Sequence, residues 1–377
     1  MPAYDYLIVG SGLWGATFAF EASKRGMKCL VLEKRNHVGG NIYTCNERGI
    51  NIHIYGAHIF NTNNRAIWDY IGQFASLNNY VHTVYAIYKG NIYPLPFNLM
   101  TIQAVYGQKL NKVISPSEGR LLVQEYAQRD ALEPRNLEEY AISLVGRDIY
   151  NMLIKGYTKK QWGREVTELP PSIMTRIPFR FTYDNNYYYS TYQGIPIGGY
   201  TQIIEKMLVN CDVQLETDFS LEEDKWRACA RHIVYTGTID AFYHYRYGRL
   251  EYRSLRFESE EFDDIDDYQG NAVINYTDES IPYTRIIEHK HFEFGRQPFT
   301  VITREYPVNY LPEEKSDPYY PINDQKNTAL YQRYRQLADE ETNVIIGGRL
   351  GRYQYTSMED TLISALDCVK QELNKGE

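Results

Sequence analysis

Short apolar runs that end at glycine or at an acidic residue set the pattern near the start of the chain. Tyr6 to Val9 predicts a buried strand that runs into the glycine-rich segment Gly10-Ser11-Gly12-Leu13-Trp14-Gly15. Lys28 to Leu32 predicts a second strand, which ends at Glu33. Glycines at these positions let the backbone turn, approach a pyrophosphate and pack the next helix close to the sheet, and the acid accepts hydrogen bonds from ribose hydroxyls. The pattern therefore predicts a dinucleotide-binding strand-helix-strand unit.

Two later apolar runs have the same form. Both His232 to Tyr235 and Asn343 to Ile346 are followed within two residues by glycine. Helices are predicted from Ile203 to Leu208 and from about Glu359 to Leu373. Open α/β sheets bind ligands at the carboxyl ends of their strands, so these ends are expected to share one crevice. We therefore expect an α/β fold with a Rossmann-like domain assembled from residues 1–75, 195–245 and 330–377.

The intervening segments have other periodicities. Residues 98–160 space their apolar positions three and four apart, as helices do, and Asn136 with Glu139 has the form of a capping box. Other segments alternate apolar and polar residues, which is typical of antiparallel strands. These are Val84 to Pro94, Leu255 to Phe257, Asn271 to Tyr276, Tyr283 to His289 and Thr300 to Tyr306. We expect a helical domain at 98–160 and a sheet domain from 76–97, 161–194 and 246–329, with a mobile loop near 164–180.

A second glycine motif narrows the choice of dinucleotide. Gly39-Gly40-Asn41 begins six residues after Glu33, a spacing that is unusual for NAD enzymes. The extended motif resembles the fingerprint of FAD proteins of the glutathione reductase type. FAD is therefore expected ahead of NAD.

Composition and charge restrict the class of partner. The 377 residues carry a formal net charge of -8, which argues against a nucleic-acid phosphate backbone as partner. The five cysteines are widely spaced and form no CxxC pair, so no disulfide framework or zinc site is expected and a reducing cytoplasm is the simple interpretation. We find no targeting segment and no membrane span. The acidic stretch Glu258 to Asp267 has no compact ligand spacing, so a solvated strand connection is favoured over a metal site.

Aromatic and basic residues in the inserted segments are candidates for binding a bulky anion. Lys155 to Gly163 contains Tyr157 and Trp162, whose flat rings suit a base and a sugar, although packing is an equally good role for one tryptophan. Arg285 lies within an alternating strand and needs an anionic partner if its face is covered; Glu288 lies on the opposite face. Taken singly, such an arginine is more often part of a surface ion pair.

With these motifs in order, the chain resembles the UDP-galactopyranose mutase family over essentially its entire length. Members interconvert the pyranose and furanose forms of a nucleotide-diphosphate sugar, so the resemblance implies an isomerase that uses reduced FAD. In such enzymes flavin N5 attacks the anomeric carbon while the nucleotide diphosphate leaves and returns, with no net redox change. The matching motifs are Gly156-Tyr157-Thr158, Gln161-Trp162-Gly163, Pro282-Tyr283-Thr284-Arg285, Tyr319-Tyr320-Pro321 and Gly348-Arg349-Leu350.

The resemblance also implies roles for individual residues. Catalytic roles fall on Arg176 on a mobile loop and Arg285 on the sheet, which hold the diphosphate, and on His58 against the flavin ring. Substrate-binding roles fall on Tyr157, Thr158, Gln161, Trp162, Tyr187, Arg253, Tyr320, Tyr355, Asn61 and Ser357. Cofactor-binding roles fall on Gly10, Gly12, Leu13, Trp14, Gly15, Glu33, Lys34, Gly40, Asn41, Arg349 and Met358.

Three departures from the family pattern leave the sugar open. Asn61 replaces a second histidine, Ser357 replaces an aspartate, and Ala57 replaces a proline. Losing a carboxylate near the expected sugar changes which hydroxyls can be bound, so UDP-N-acetylgalactosamine, dTDP-fucose and GDP-linked sugars stay beside UDP-galactose as alternatives. More distant alternatives are a flavin oxidoreductase of the amine oxidase or desaturase type and a non-catalytic nucleotide-sugar binder. A cytoplasmic homodimer that serves polysaccharide biosynthesis through galactofuranose is expected.

Overall fold

The computed structural model describes residues 2–127, 134–174, 178–314 and 316–374. The chain divides into two compact units, each built from separate stretches. The first comprises Met1–Asn79, Thr191–Arg253 and Tyr310–Glu377, and the second comprises Tyr80–Ser190 and Ser254–Asn309. Most of the helical and sheet segments that the sequence separates into two domains therefore share the second unit.

Strands and helices of the described residues are numbered along the chain. The strands are β1 Tyr4–Val9, β2 Cys29–Leu32, β3 Thr44–Glu47, β4 Ile50–His53, β5 Phe60–Thr62, β6 Val84–Tyr88, β7 Asn91–Leu95, β8 Tyr192–Gly194, β9 Asp212–Gln214, β10 Ala230–Tyr235, β11 Tyr252–Phe262, β12 Val273–Tyr276, β13 Arg285–Glu288, β14 Thr300–Asn309, β15 Tyr320–Pro321 and β16 Val344–Ile346. The α-helices are α1 Leu13–Lys24, α2 Arg65–Gly72, α3 Leu99–Ile102, α4 Gln108–Leu110, α5 Pro116–Tyr126, α6 Leu137–Ile149, α7 Gly156–Trp162, α8 Thr201–Met207, α9 Glu223–Cys229, α10 Ile239–Phe242, α11 Gln325–Glu340, α12 Gly348–Gly351 and α13 Met358–Asn374.

The first unit contains a parallel sheet in the order β16-β10-β1-β2-β9. Every neighbouring pair in it is parallel, and the register places Val9 beside Leu32 on one side and Tyr235 on the other. The four strands predicted from the sequence are present, together with the Rossmann-like fold; the short, exposed edge strand β9 was not predicted. The carboxyl ends of β1, β2 and β10 therefore lie side by side at one edge of the sheet.

Helix α1 connects β1 to β2 and is buried along most of its length. Its Trp14 donates from Nε1 to Ser364 Oγ of α13 at 2.9 Å. A Cβ atom on Gly347 would lie 2.3 Å from the Trp14 ring, so only glycine fits where β16 ends. Residues near the two ends of the sequence thus pack together, which is why the closing helix belongs to this unit.

The other face of the sheet is covered by aromatic-rich helices. Leu7, Leu30 and Ile233 pack with Trp226 and Tyr334 in one buried cluster. Burial of each large apolar side chain contributes about 1.5–3 kcal/mol. The cluster fixes the sheet whose edge carries the candidate site.

In the second unit, helices follow the strands β6 and β7. The Asn136 side chain accepts from Glu139 N at 2.9 Å and caps α6, as predicted. In a capping box the Glu139 carboxylate would also accept from Asn136 N. Here it accepts from Arg135 N instead. A π-helical turn, Tyr150–Lys155, then leads into α7. Across the described ranges, no helix combines the length and apolar character that crossing a bilayer requires.

Strands in the second unit form a sheet in the order β11-β14-β13-β12-β6-β7. The hairpin β6-β7 and the pairs β12-β13 and β13-β14 are antiparallel, as expected. The pair β12-β6 is parallel, an exception that the alternating pattern did not predict. These two strands are joined through the helical segment and through the first unit, and such a long connection permits parallel pairing. Strand β11 begins in the first unit, where Tyr252 and Arg253 pair with β15.

Candidate functional site

Two glycines of the turn after β1, Gly10 and Gly15, are packed too closely for a side chain. Gly10 has a φ of +103°, and a Cβ atom there would lie 2.2 Å from Thr236 Oγ1 at the end of β10. A Cβ atom on Gly15 would lie 2.2 Å from the Gly10 carbonyl oxygen. Leu13 and Trp14, on the same turn of α1, are buried. This is the geometry that lets backbone amides at a helix N-terminus approach a phosphate.

Glu33 closes the same edge from β2. The residue is 5% exposed; Oε2 accepts from Ser11 N at 3.0 Å and from Ser11 Oγ at 2.7 Å, and Oε1 accepts from Arg35 N at 3.0 Å. The acid thus holds the glycine-rich turn in place. The sequence motif indicated Glu33, but it gave no signal for Ser11 as its partner.

The second glycine motif lies against the first. Gly12 and Gly39 form a β-bridge, and a Cβ atom on Gly40 would lie 2.8 Å from Gly12 Cα. Arg35 Nη2 donates to Asn41 Oδ1 at 3.1 Å. The structure therefore brings together two motifs that the sequence separates by more than twenty residues.

Asp317 joins this edge from a distant part of the sequence. It lies 2.8 Å from Lys34 Nζ and 2.6 Å from Arg35 Nη2. Burial raises the pKa of Asp317, but the charges of Arg35 and Lys34 outweigh it and hold the pKa below the ordinary value. Lys34 was predicted to bind cofactor, whereas Asp317 was not recognised.

Four predicted residues lie together near β15 in the first unit. Arg253 is buried and pairs with Tyr320 across β11 and β15. The Tyr320 and Tyr355 ring centroids are 5.2 Å apart, and the Arg349 guanidinium is 5.9 Å from the Tyr355 ring. Planar cations and phenol hydroxyls in this arrangement suit a phosphate.

Four further predicted positions of the first unit are His58, Asn61, Ser357 and Met358. His58 Nδ1 is 2.7 Å from Gly56 O, and Asn61 Nδ2 donates to Ile59 O at 3.2 Å. Ser357 caps α13, because its Oγ accepts from Asp360 N at 3.0 Å and donates to Asp360 Oδ2 at 2.8 Å. Met358 is the first residue of that helix. An aspartate at position 357 would supply the same capping oxygen.

Arg285 is the centre of a polar cluster in the second unit. Its Nη2 donates to the Tyr157 hydroxyl at 2.6 Å, and its Nε lies 3.2 Å from Glu305 Oε1. Arg285 and Glu305 are direct partners across β13 and β14, and Glu305 is 2% exposed. Glu305 is the anionic partner that the sequence required but could not name, because the pattern of each strand leaves the register between strands open.

Two more rings, those of His82 and Tyr187, lie at this cluster. Burial raises the pKa of Tyr157 to about 12, although the charge of Arg285 lowers it. His82 is buried beside Tyr187, with ring centroids 5.4 Å apart, and Tyr187 N donates to His82 O at 2.8 Å. Burial lowers the pKa of His82 to about 3, and the positive charge of Arg285 acts in the same direction. Neutral His82 therefore leaves Arg285 as the cation of this group.

Helix α7 carries the other predicted residues of the second unit. Thr158 and Gln161 are buried, while Trp162 is half-buried at the helix end, where Gly163 adopts a left-handed conformation. Tyr157 joins the helix to Arg285. Arg176 lies outside the described residues.

One group of side chains in the second unit has the spacing of metal ligands. Ligand atoms of Asp267, Glu288 and His291 all lie within 4.8 Å of one another. Glu288 also accepts from Tyr268 N at 2.8 Å and from Thr300 Oγ1 at 2.6 Å. The hydrogen bond to Glu288 raises the pKa of His291. His291 Nε2 lies 3.2 Å from Asp267 Oδ1 and 3.3 Å from Glu288 Oε2, so the imidazole is placed between two carboxylates.

Two profiles of known protein families match separate stretches of the chain. A profile of the NAD(P)-binding Rossmann-like domain matches residues 8–74, and one of the UDP-galactopyranose mutase family matches residues 152–355. The crystal structure of a reduced UDP-galactopyranose mutase superimposes with a TM-score of 0.77 at 12% identity, covering 99% of this chain and 94% of that one. This likeness confirms the fold.

Full-length relatives show the family. A probable UDP-galactopyranose mutase of Klebsiella pneumoniae is 40% identical over 98% of this chain and 95% of its own length. A dTDP-fucopyranose mutase of Escherichia coli is 37% identical over 97% of both chains. The protein therefore belongs to the UDP-galactopyranose mutase family.

Proposed function

We propose that the protein is a flavin-dependent isomerase that interconverts the pyranose and furanose forms of UDP-galactose or a closely related nucleotide sugar. The observation that carries the proposal is the Arg285 cluster, in which a cation paired with buried Glu305 is also bound to the Tyr157 hydroxyl. Such a cluster suits the diphosphate of a nucleotide sugar, because a planar guanidinium can donate two parallel hydrogen bonds to phosphate oxygens.

The first unit fits FAD as the cofactor. Gly10, Gly12 and Gly15 belong to the close turn at the N-terminus of α1, where we propose that a pyrophosphate binds, and Glu33 follows β2, where we propose that a ribose binds. The closely packed Gly40 extends this cradle. A reduced flavin held by these residues would supply a nucleophilic nitrogen. We assign cofactor contacts to these residues and to Leu13, Trp14, Lys34, Asn41, Arg349 and Met358.

The protein has to stabilise charge more than to move protons. When the bond between sugar and diphosphate breaks, the diphosphate gains negative charge, and preorganised cations lower the energy of that state. Arg285 is preorganised by Glu305 on one side and Tyr157 on the other. We propose that Arg176 supplies a second cation, and that Tyr187, Tyr320 and Tyr355 direct hydroxyls at the phosphates.

The remaining contacts are proposed for the base and the sugar. Half-buried Trp162 offers a ring face, and we propose that Thr158 and Gln161, which are buried on the same helix, also belong to the substrate site. Ser357 caps a helix, so a serine in place of aspartate keeps the local fold while removing a carboxylate. Because two full-length relatives are named for different sugars, UDP-galactose is proposed first and dTDP-fucose second. UDP-N-acetylgalactosamine and a GDP-linked sugar remain to be tested.

The test is a turnover assay with dithionite-reduced protein and each of these four nucleotide sugars in the furanose or pyranose form. Chromatography should show the other ring form of one sugar, with the flavin still reduced at the end. Absence of ring-form conversion with all four sugars contradicts the proposal. Stoichiometric oxidation of a substrate instead supports the oxidoreductase alternative, and binding without conversion supports the non-catalytic one.

Matched arginine variants test the role of the cluster. Arg285→Ala should abolish turnover while the purified protein keeps its flavin absorbance. Arg304→Ala is the control. Arg304 lies next to Glu305 on β14 and pairs with Glu260 on the sheet surface. Normal turnover in Arg285→Ala, or equal loss in both variants, removes the cluster from the proposal.

Three further proposals concern the cell compartment, the oligomeric state and the use of the product. We propose a cytoplasmic homodimer whose product is a galactofuranose donor for polysaccharide assembly. Sedimentation of the purified protein measures the oligomeric state. Deletion of the gene should remove furanose residues from the cell-surface polysaccharide, and their persistence contradicts this role.

A further inference from the structure

The side chain of Lys160, on α7, donates to four backbone carbonyl oxygens of one other segment of the chain. All four oxygens lie within hydrogen-bond distance of one ammonium group. They are Tyr276 O at 2.7 Å, Asp278 O at 2.8 Å, Ile281 O at 3.0 Å and Tyr283 O at 3.0 Å. An ammonium has three N–H donors, so it satisfies this ring of oxygens only by sharing one of them.

The charges around Lys160 show that the backbone is its main partner. Asp278 turns its carboxylate to Ser280, accepting from Ser280 N at 3.0 Å and from Ser280 Oγ at 2.9 Å. The neighbouring Lys159 forms the surface ion pairs of this helix, at 3.0 Å from Glu165 and 3.4 Å from Glu279. Lys160 is therefore held in a cage of carbonyl dipoles.

The cage joins the two elements that carry the Arg285 cluster. Lys160 belongs to α7, one turn after Tyr157 and two residues before Trp162. The carbonyls belong to the turn from β12 to β13, which delivers Arg285 two residues after Tyr283. Helix and turn also touch at Gly156, where a Cβ atom would lie 2.3 Å from Thr277 O.

We propose that Lys160 is a positioning residue, whose ammonium fixes α7 against the β12–β13 turn and so sets the placement of Tyr157 and Trp162 relative to Arg285 for nucleotide binding. The inference rests on the proposed function for the role of these residues. Loss of the cage would let the helix shift, and a displacement of about 1 Å at a binding group can change rates up to about a hundredfold.

The second unit offers a matched control in Lys290. Its Nζ also donates to three carbonyl oxygens, those of Asp266, Gln297 and Phe299, at 2.5, 2.6 and 3.1 Å. Lys290 lies beyond the opposite end of β13 from Arg285. Lys160→Met and Lys290→Met therefore remove comparable backbone cages, and only the first removes a cage that contacts α7.

The experiment measures the dissociation constants of UDP and dTDP by calorimetry, with the thermal midpoint and flavin content of each holoenzyme. Both variants should have a lower midpoint and normal flavin content. Lys160→Met should weaken nucleotide binding about tenfold or more and raise KM of the nucleotide sugar to match, whereas Lys290→Met should stay within about twofold of the unaltered protein. Lys160→Arg, which keeps the charge and several donors, should bind more tightly than Lys160→Met.

Two results overturn the inference: unchanged nucleotide binding in Lys160→Met, or equal weakening in both methionine variants. If Lys160→Met does not fold, Lys160→Gln, which keeps two donors, is measured in its place with the same criteria. An unaltered protein that binds neither nucleotide overturns both this inference and the proposed function. One that binds a nucleotide without converting its sugar overturns the proposed reaction alone, and the comparison of Lys160 with Lys290 still stands.

Discussion

Replacing Glu305 by glutamine tests the buried ion pair of the second unit. The substitution removes the negative charge opposite Arg285 and keeps the shape of the side chain. Glu305 is 2% exposed, with Oε1 3.2 Å from Arg285 Nε. Removing one partner of a buried pair costs about 3–5 kcal/mol, because the remaining charge is uncompensated. Since the Arg285 side chain is 24% exposed and keeps its bond to Tyr157, we expect the lower value, about 3 kcal/mol.

A second glutamate provides the control. Glu260 pairs with Arg304 at 2.6 Å, but its side chain is 46% exposed. Exposed ion pairs contribute about 0–1 kcal/mol, so Glu260→Gln should have little effect. The free energy of unfolding of both variants and of the unaltered protein is measured by urea unfolding followed by tryptophan fluorescence. The reasoning is refuted if the two variants lie within about 1 kcal/mol of each other.

Three other residues give predictions of different kinds. Ser357→Ala should lower the free energy of unfolding by about 1 kcal/mol through loss of the α13 cap, whereas Ser357→Asp should retain it; equal urea midpoints for both would contradict this. Gly15→Ala places a methyl group 2.2 Å from the Gly10 carbonyl oxygen, so the purified variant should contain less flavin per chain by absorbance, and full loading would argue against the assigned cradle. The hydrogen bond to Glu288 raises the pKa of His291, so its stabilisation is present below its unfolded pKa of about 6.5 and is lost as pH rises through the raised value. The difference in unfolding free energy between the unaltered protein and His291→Gln should therefore shrink as the pH rises above about 6.5, and a constant difference would exclude this titration.

Local pattern was sufficient for the nucleotide-binding half of the fold. The strand before Gly10, the acid at Glu33 and the glycines after β10 and β16 each depend on backbone geometry within a few residues, and sequence records such requirements directly. The same holds for Asn136 as the cap of α6. These features needed no knowledge of what the chain contacts elsewhere.

Pairings between distant segments could not be obtained in this way. Glu305 opposes Arg285 only because β13 and β14 adopt one register, and the alternation of each strand is compatible with others. Asp317 reaches Arg35 across 282 residues, and Lys160 is bound by carbonyl groups, which every residue has. Parallel pairing of β12 with β6 was also missed, since alternation indicates a strand but does not give its direction. Information about these contacts is spread over the whole chain.

The division of the chain has a consequence for biosynthesis. The polypeptide passes between the two units four times, and the first unit is complete only when residues from 310 onward have joined it. Trp14 has its hydrogen-bond partner at Ser364, 350 positions later. A nascent chain emerging from the ribosome therefore cannot finish its nucleotide-binding half before translation is almost over, and contacts of this separation fold slowly. A premature stop that removes α13 should leave a chain that is retained by chaperones or degraded, however intact its first forty residues are.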